Sequence, residues 1–249
     1  MLVRMIRVEC LKLKRTPALW MVAVAPVVMI VLSTLMFWQR PSTILFHSPL
    51  WTPLTKSVLG LWALLMMPLF VTLETALMAG FEHSENQWKS LLALPVERWT
   101  VYIAKLLVVI AMLMTSATLL ALGIGAAGTV LPYLQPELRF DKQIPWLEIA
   151  RRTAQVLALA LPSLAIQHWV SLRWRSFAVA LGVGTIATVS SFFVVNARAG
   201  LDRFYPWSLP GTVLSNRPIN VEAILISAAV AGFVLVVLGC WDFCRRELV

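Results

Sequence analysis

The stretch SVLGLWALLMMPLFVTLETALMAGF (Ser57–Phe81), followed by EHSENQWKSLLALPVERWTVYIAK (Glu82–Lys105) and an uncharged run from Leu106 to Gln135, decides the fold. At about 1.5 Å per residue, Ser57–Phe81 is long enough as a helix to cross roughly 30 Å of hydrocarbon. The apolar run beginning at Val101 and ending near Val130 is long enough as well. Between them lies a polar island that cannot enter lipid. The pattern is therefore span, surface segment, span.

Working outward, apolar runs of similar length recur at Pro17–Phe37, Thr153–Val170, Phe177–Val195 and Ala223–Trp241, making six predicted spans. Composition agrees: of 249 residues, 59% are hydrophobic and 13% charged, with a mean hydropathy of +0.81. These values exclude an ordinary water-soluble domain and predict an all-α polytopic membrane protein forming one transmembrane domain over residues 1–249. The first run is preceded by a 16-residue segment and lacks a small-residue cleavage site, so it is expected to remain in the mature protein. Trp38, Trp51, Trp99, Trp146, Trp169, Trp174, Trp207 and Trp241 fall near the predicted borders, as an aromatic belt requires.

The island predicts a short helix over residues 85–94. Ser84 followed three residues later by Gln87 is a capping-box pattern, and Pro95 ends the segment because it lacks a donor and fixes φ. Trp88, Leu91 and Leu92 then share one face. That apolar stripe on a surface helix is a candidate docking site for a partner protein.

Lysine and arginine set the expected orientation. With the amino terminus in the cytoplasm, the inside set holds Arg4, Arg7, Lys12, Lys14, Arg15, Lys89, Arg98, Lys105, Arg173, Arg175, Arg245 and Arg246, which is 12 of 21 basic residues. Both termini are thus expected on the cytoplasmic side. The formal charge of +9 and pI near 10.1 follow from topogenesis and anionic headgroups rather than from nucleic acid. Cys10, Cys240 and Cys244 imply no disulfide framework.

Residues 1–16 read as an amphipathic helix at the membrane surface, with Arg4, Arg7, Lys14 and Arg15 on one arc and Leu2, Ile6, Cys10 and Leu13 broadly opposite. Glu9 projects from the middle of the apolar arc. Two readings stand: a solvated carboxylate on a tilted helix, or a contact to a partner or to a basic side chain of another span. Glu74 is an acid well inside a span, about 10 Å from the cytoplasmic border. It either snorkels or hydrogen-bonds between helices, or it serves a cargo path or gate. Gln155, Gln167 and Asn196 are weaker polar candidates, and Pro162 predicts a kink in the fourth span.

Outer segments are expected at Trp38–Lys56, Leu131–Arg152 and Arg198–Asn220. The first is too rich in proline for a long helix; the second carries an interfacial helix over Trp146–Arg152; the third carries short helices near Tyr205 and Trp207. GIGAAG at Gly123–Gly128 matches the dinucleotide fingerprint in letters only, because it lies within an uncharged span; its small residues suit close helix packing. No P-loop, HExxH or GxSxG motif occurs, and His47, His83 and His168 are scattered. No catalytic, metal or cofactor residues are assigned.

The six spans, the amphipathic leading helix, the capped helix between spans two and three, and the proline-aromatic segment before the last span together resemble a type 2 ATP-binding cassette exporter permease. EHSENQWKSLLALPVERWTVYIAK is most similar to the bacterial lantibiotic-immunity and bacitracin-type permeases, sharply over Thr72–Lys105 and weakly at Tyr205–Leu209. The resemblance implies a bacterial cytoplasmic-membrane subunit that exports an amphiphilic cargo such as an antimicrobial peptide or a lipid-like compound. It implies a separate P-loop ATPase that binds ATP and magnesium, and a second permease protomer. The helix at 85–94 becomes the coupling helix, with Trp88, Leu91 and Leu92 in a groove of the ATPase, Glu85 and Lys89 at the rim, and Glu82 positioning the helix start. A membrane scaffold or sensor subunit and an intramembrane enzyme are the competing readings.

Overall fold

The computed structural model describes residues 1–14, 16–39, 50–84, 97–136, 138, 140–197, 200–215 and 220–245, without the side chains of 81–84. The chain is an all-α polytopic membrane protein. Among the described residues, five helices or continuous helical segments are long and apolar enough to cross a bilayer, and two helices bent by 44° make a sixth if they are taken as one span.

Helix α1 (Leu2–Leu13) buries Met5, Glu9 and Leu13, while Cys10 is exposed. The buried stripe thus has Glu9 in its middle, as the sequence places it, while Cys10 lies outside it. The Leu13 carbonyl accepts both the backbone N–H and the hydroxyl of Thr16, turning the chain into α2 (Pro17–Trp38). Pro17 occupies the first helical position, where a missing donor is harmless.

The second span is longer than predicted and not uniform. It starts as α3 (Trp51–Leu61), passes through a π-helical turn at Trp62–Met66 and continues as α4 (Met67–Ser84). The expected outer loop thus ends before Trp51 rather than at Lys56. Pro53 does not prevent this, because in a first turn its absent N–H has no intrahelical partner to lose. Pro68 accounts for the π turn: it cannot donate to Leu64 and would crowd that carbonyl, and the chain widens locally so that Met67 N–H reaches Trp62 O. Ser84 is helical and α4 is described through it; the predicted helix that Ser84 would cap lies outside the described residues.

Helix α5 (Arg98–Leu134) has 37 residues and is buried along most of its length, from Val101 to Leu131. Its GIGAAG segment packs closely: a Cβ at Gly123, Gly125 or Gly128 would stand 1.9, 2.4 or 2.3 Å from Ile30, Trp146 or Trp51. Trp51 also donates to the Asp141 carbonyl at 3.1 Å and meets Phe140 edge to face.

The fourth span is α6 (Trp146–Leu159) plus α7 (Leu161–Arg173). The predicted interfacial helix at Trp146–Arg152 is continuous with α6. The bend falls at Ala160, because Pro162 cannot bond Ala158 and sits comfortably only in the first turn of a new helix. Helix α8 (Phe177–Asn196) begins with Ser176 accepting from Val179 N–H. A 3₁₀ turn (Leu201–Arg203) and the short α9 (Leu209–Thr212) follow, held by Tyr205 donating to the Ala187 carbonyl at 2.8 Å. Helix α10 (Val221–Arg245) is the last span.

The largest apolar core joins α2, α3, α4, α5, α6 and α7. Polar groups in the spans bond across helices where they can: Ser171 donates to Thr75, and Gln167 donates to the Ala180 carbonyl. Ile186, Phe193, Ile226 and Phe233 on α8 and α10 face outward, as lipid-facing side chains do.

Candidate coupling region

The predicted coupling helix itself, with Glu85, Trp88, Lys89, Leu91 and Leu92, lies outside the described residues; Glu82 belongs to the last turn of α4, and its side chain is likewise outside them. Its two anchors are described. The island leaves α4 at Ser84 and rejoins the protein at Arg98, where Glu97 is extended and α5 begins.

The first turns of α5 gather four other helices. Lys105 Nζ donates to Glu9 Oε2 on α1 at 2.8 Å and to the Met78 carbonyl on α4 at 3.4 Å. Lys12 Nζ reaches the other oxygen of Glu9 at 3.1 Å. Lys105 is 0% and Glu9 1% exposed, so this is a buried ion pair and not a surface one. In such surroundings the attraction is strong, and removing either partner of a buried pair is costly because the other charge loses compensation in an apolar core. Glu9 is therefore the contact to a basic side chain of another span, and the solvated reading falls.

One turn earlier on α5, Tyr102 packs edge to face on His168 of α7 with ring centroids 4.7 Å apart and lies 5.8 Å from the Phe243 ring of α10. His168 Nε2 is 3.3 Å from the Tyr102 carbonyl oxygen. Arg98 donates to the Cys244 carbonyl of α10 at 3.3 Å. The end of the bundle that carries α1 thus also carries the starts of α2 and α5 and the ends of α4, α7 and α10. Lys105 and His168 were missed as site residues by sequence reasoning. The only signals were an acid in the apolar arc of α1 and a lysine just inside an otherwise apolar run, 96 residues apart.

Glu74 is wholly buried, and neither carboxyl oxygen has a hydrogen-bond partner among the described residues. It neither snorkels to water nor bonds between helices there. Phe70, Val71 and Met78, its neighbours on the same face of α4, belong to the apolar core. Among the described residues no three His, Cys, Asp or Glu side chains come together as a metal site.

The leading helix, the end of α4 and the start of α5 meet at one end of a membrane bundle. Residues 5–191, three quarters of the chain, match the family model described as ABC-2 family transporter protein. The chain belongs to the ABC-2 transporter family. No curated protein matches it. An ABC-2 protein is the membrane permease subunit of an ABC exporter, a transport subunit, and membership implies an ABC ATPase as partner and a paired arrangement of permeases. The matched residues include Glu9, Glu74 and Lys105 and end within α8, before α10.

Proposed function

We propose that this ABC-2 permease exports an amphiphilic cargo, an antimicrobial peptide or a lipid-like compound, from a bacterial cytoplasmic membrane in the manner of lantibiotic-immunity permeases. A separate P-loop ATPase holds ATP and magnesium and docks on residues 85–94, with Trp88, Leu91 and Leu92 in its groove, Glu85 and Lys89 at the rim and Glu82 at the helix start. Two permeases, identical or related, face one another, and both termini lie in the cytoplasm. The shared end of α1 and α10 supports that last reading, because an even number of crossings returns the chain to its starting side.

The observation that carries the proposal is the buried Glu9–Lys105 pair with its Met78 contact. It ties the helices on both flanks of the island, and the amphipathic helix as well, into one rigid junction. A push delivered to the island by an ATPase would then move α1, α4 and α5 together rather than fray one helix end. Glu74, one turn along α4 from Met78, is where we place the step from docking to cargo, because a buried carboxyl without a partner changes its interactions when helices part.

Trp88→Asp tests the docking. The variant should insert normally in the membrane and lose copurification with its partner ATPase; a variant that retains the ATPase at wild-type levels removes residues 85–94 from the interface. A scaffold or sensor subunit would keep the ATPase but show no cargo-stimulated ATP turnover in liposomes.

A further inference from the structure

Near its end, α10 carries Cys240 and Cys244 one helical turn apart. Both thiols are free, and both side chains are half-buried rather than sealed in the core. Residues four apart on a helix share a face, so the two sulfurs stand side by side, and they are electrostatic neighbours. The turn that bears them is held from both sides. Cys240 packs on the small apolar cluster that includes Met5, Val101 and Phe243, and the Cys244 carbonyl accepts from Arg98 at 3.3 Å. The pair is therefore fixed in place before anything binds to it.

Spacing limits what two such thiols can do. A disulfide does not fit, because Cβ atoms one turn apart on a helix are separated by about 5–6 Å and a disulfide needs about 3.5–4.5 Å. Closing it would unwind the turn. A tetrahedral ion such as zinc does not fit either, since it takes four ligands and, among the described residues, no third His, Cys, Asp or Glu joins the pair. An ion held in line between two sulfurs is different: two bonds of about 2.3 Å end to end bridge about 4.6 Å, within reach of side chains so spaced. Two-coordinate binding by thiolates is the habit of soft monovalent ions with a filled d shell.

We propose that Cys240 and Cys244 bind one soft monovalent cation, copper(I) in the cell, between their two sulfurs. Both thiols lose a proton to water as the two metal–sulfur bonds form, and no electron changes hands. The product carries one net negative charge. Two guanidinium groups at this end of α10 oppose it: Arg98, on the Cys244 carbonyl, and Arg245, which lies 3.8 Å over the Trp241 ring. Once bound, the ion staples the last turn of α10. The site does not depend on the export reading.

The test uses the full chain, reduced and purified in detergent without chloride or added thiol, and titrated with silver(I), which shares the charge and coordination of copper(I) but is not oxidised by air. Native mass spectrometry should find one silver ion per chain. Cys240→Ser and Cys244→Ser should each weaken binding by about a hundredfold or more, since losing even an outer partner of a metal ligand costs about 10–100-fold. Cys10→Ser should leave it unchanged, and zinc should not displace the silver. A second measurement needs no variant: bound silver should protect Cys240 and Cys244 of the wild-type chain from N-ethylmaleimide while Cys10 still reacts, as read by peptide mass spectrometry. The proposal is overturned if silver leaves Cys240 and Cys244 as reactive as before, if either serine variant binds it as the wild type does, if Cys10→Ser abolishes binding, or if zinc displaces it.

Discussion

The two ends of α5 are held in opposite ways. Where α5 begins, it is held by charge and direction: Lys105 to Glu9 and to the Met78 carbonyl, and Arg98 to the Cys244 carbonyl. Toward its other end it is held mainly by shape, with Ile30, Trp146 and Trp51 pressed against Gly123, Gly125 and Gly128. The first kind of contact is all or nothing, because a buried charge without its partner is strongly unfavourable. The second loosens by degrees, since dispersion is a sum of many small contributions. Such a helix is rigid where α1 and α4 join it and adaptable toward its other end.

Breaking the ion pair should have the largest effect. Lys105→Met leaves Glu9 with its partly exposed Lys12 contact and without its buried partner, and should lower stability by up to about 3–5 kcal/mol, read as the unfolding midpoint in detergent. The double variant with Glu9→Met should recover most of the loss, since apolar residues of similar size often replace a buried pair without penalty. A silent Lys105→Met would end the contrast between the two ends.

Overpacking the far end comes next. Gly128→Leu forces a side chain toward Trp51 and should lower stability by about 1–3 kcal/mol, with the other packing contacts sharing the strain. ATPase copurification should be unaffected; loss of the ATPase in this variant would mean that the two ends are coupled more tightly than their contacts imply. The smallest effect belongs to Arg98→Ala, which removes the hydrogen bond to the Cys244 carbonyl. About 1 kcal/mol is expected, and an intact unfolding midpoint would show that the other contacts of α10 at this end, Phe243 packing and the Trp169–Asp242 bond among them, hold it without Arg98.

Much of the fold was legible because hydrocarbon thickness sets a minimum length for every span, and apolar runs of that length stand out. Pro162 announced the bend at Ala160, and the glycines of GIGAAG announced close packing. Pro68 carried a similar message that sequence reading passed over: a proline deep in a span must free a carbonyl, and the π turn is how the chain accommodates it. Tyr102 and Gly239 gave no sign of their close approach, being ordinary span residues 137 positions apart.

The amino-acid sequence by itself determined that this chain lies in a membrane, roughly where it crosses, and that one polar island interrupts it, since burial of backbone and apolar surface in lipid is governed by local length and composition. It also singled out Glu9 and Glu74 as acids in the wrong surroundings. Only the tertiary structure decided that Glu9 is matched by Lys105 and that Glu74 is matched by nothing among the described residues. An anomalous charge can be seen in one helix, but its compensation comes from whichever helix packs against it, and that choice is made by the whole bundle.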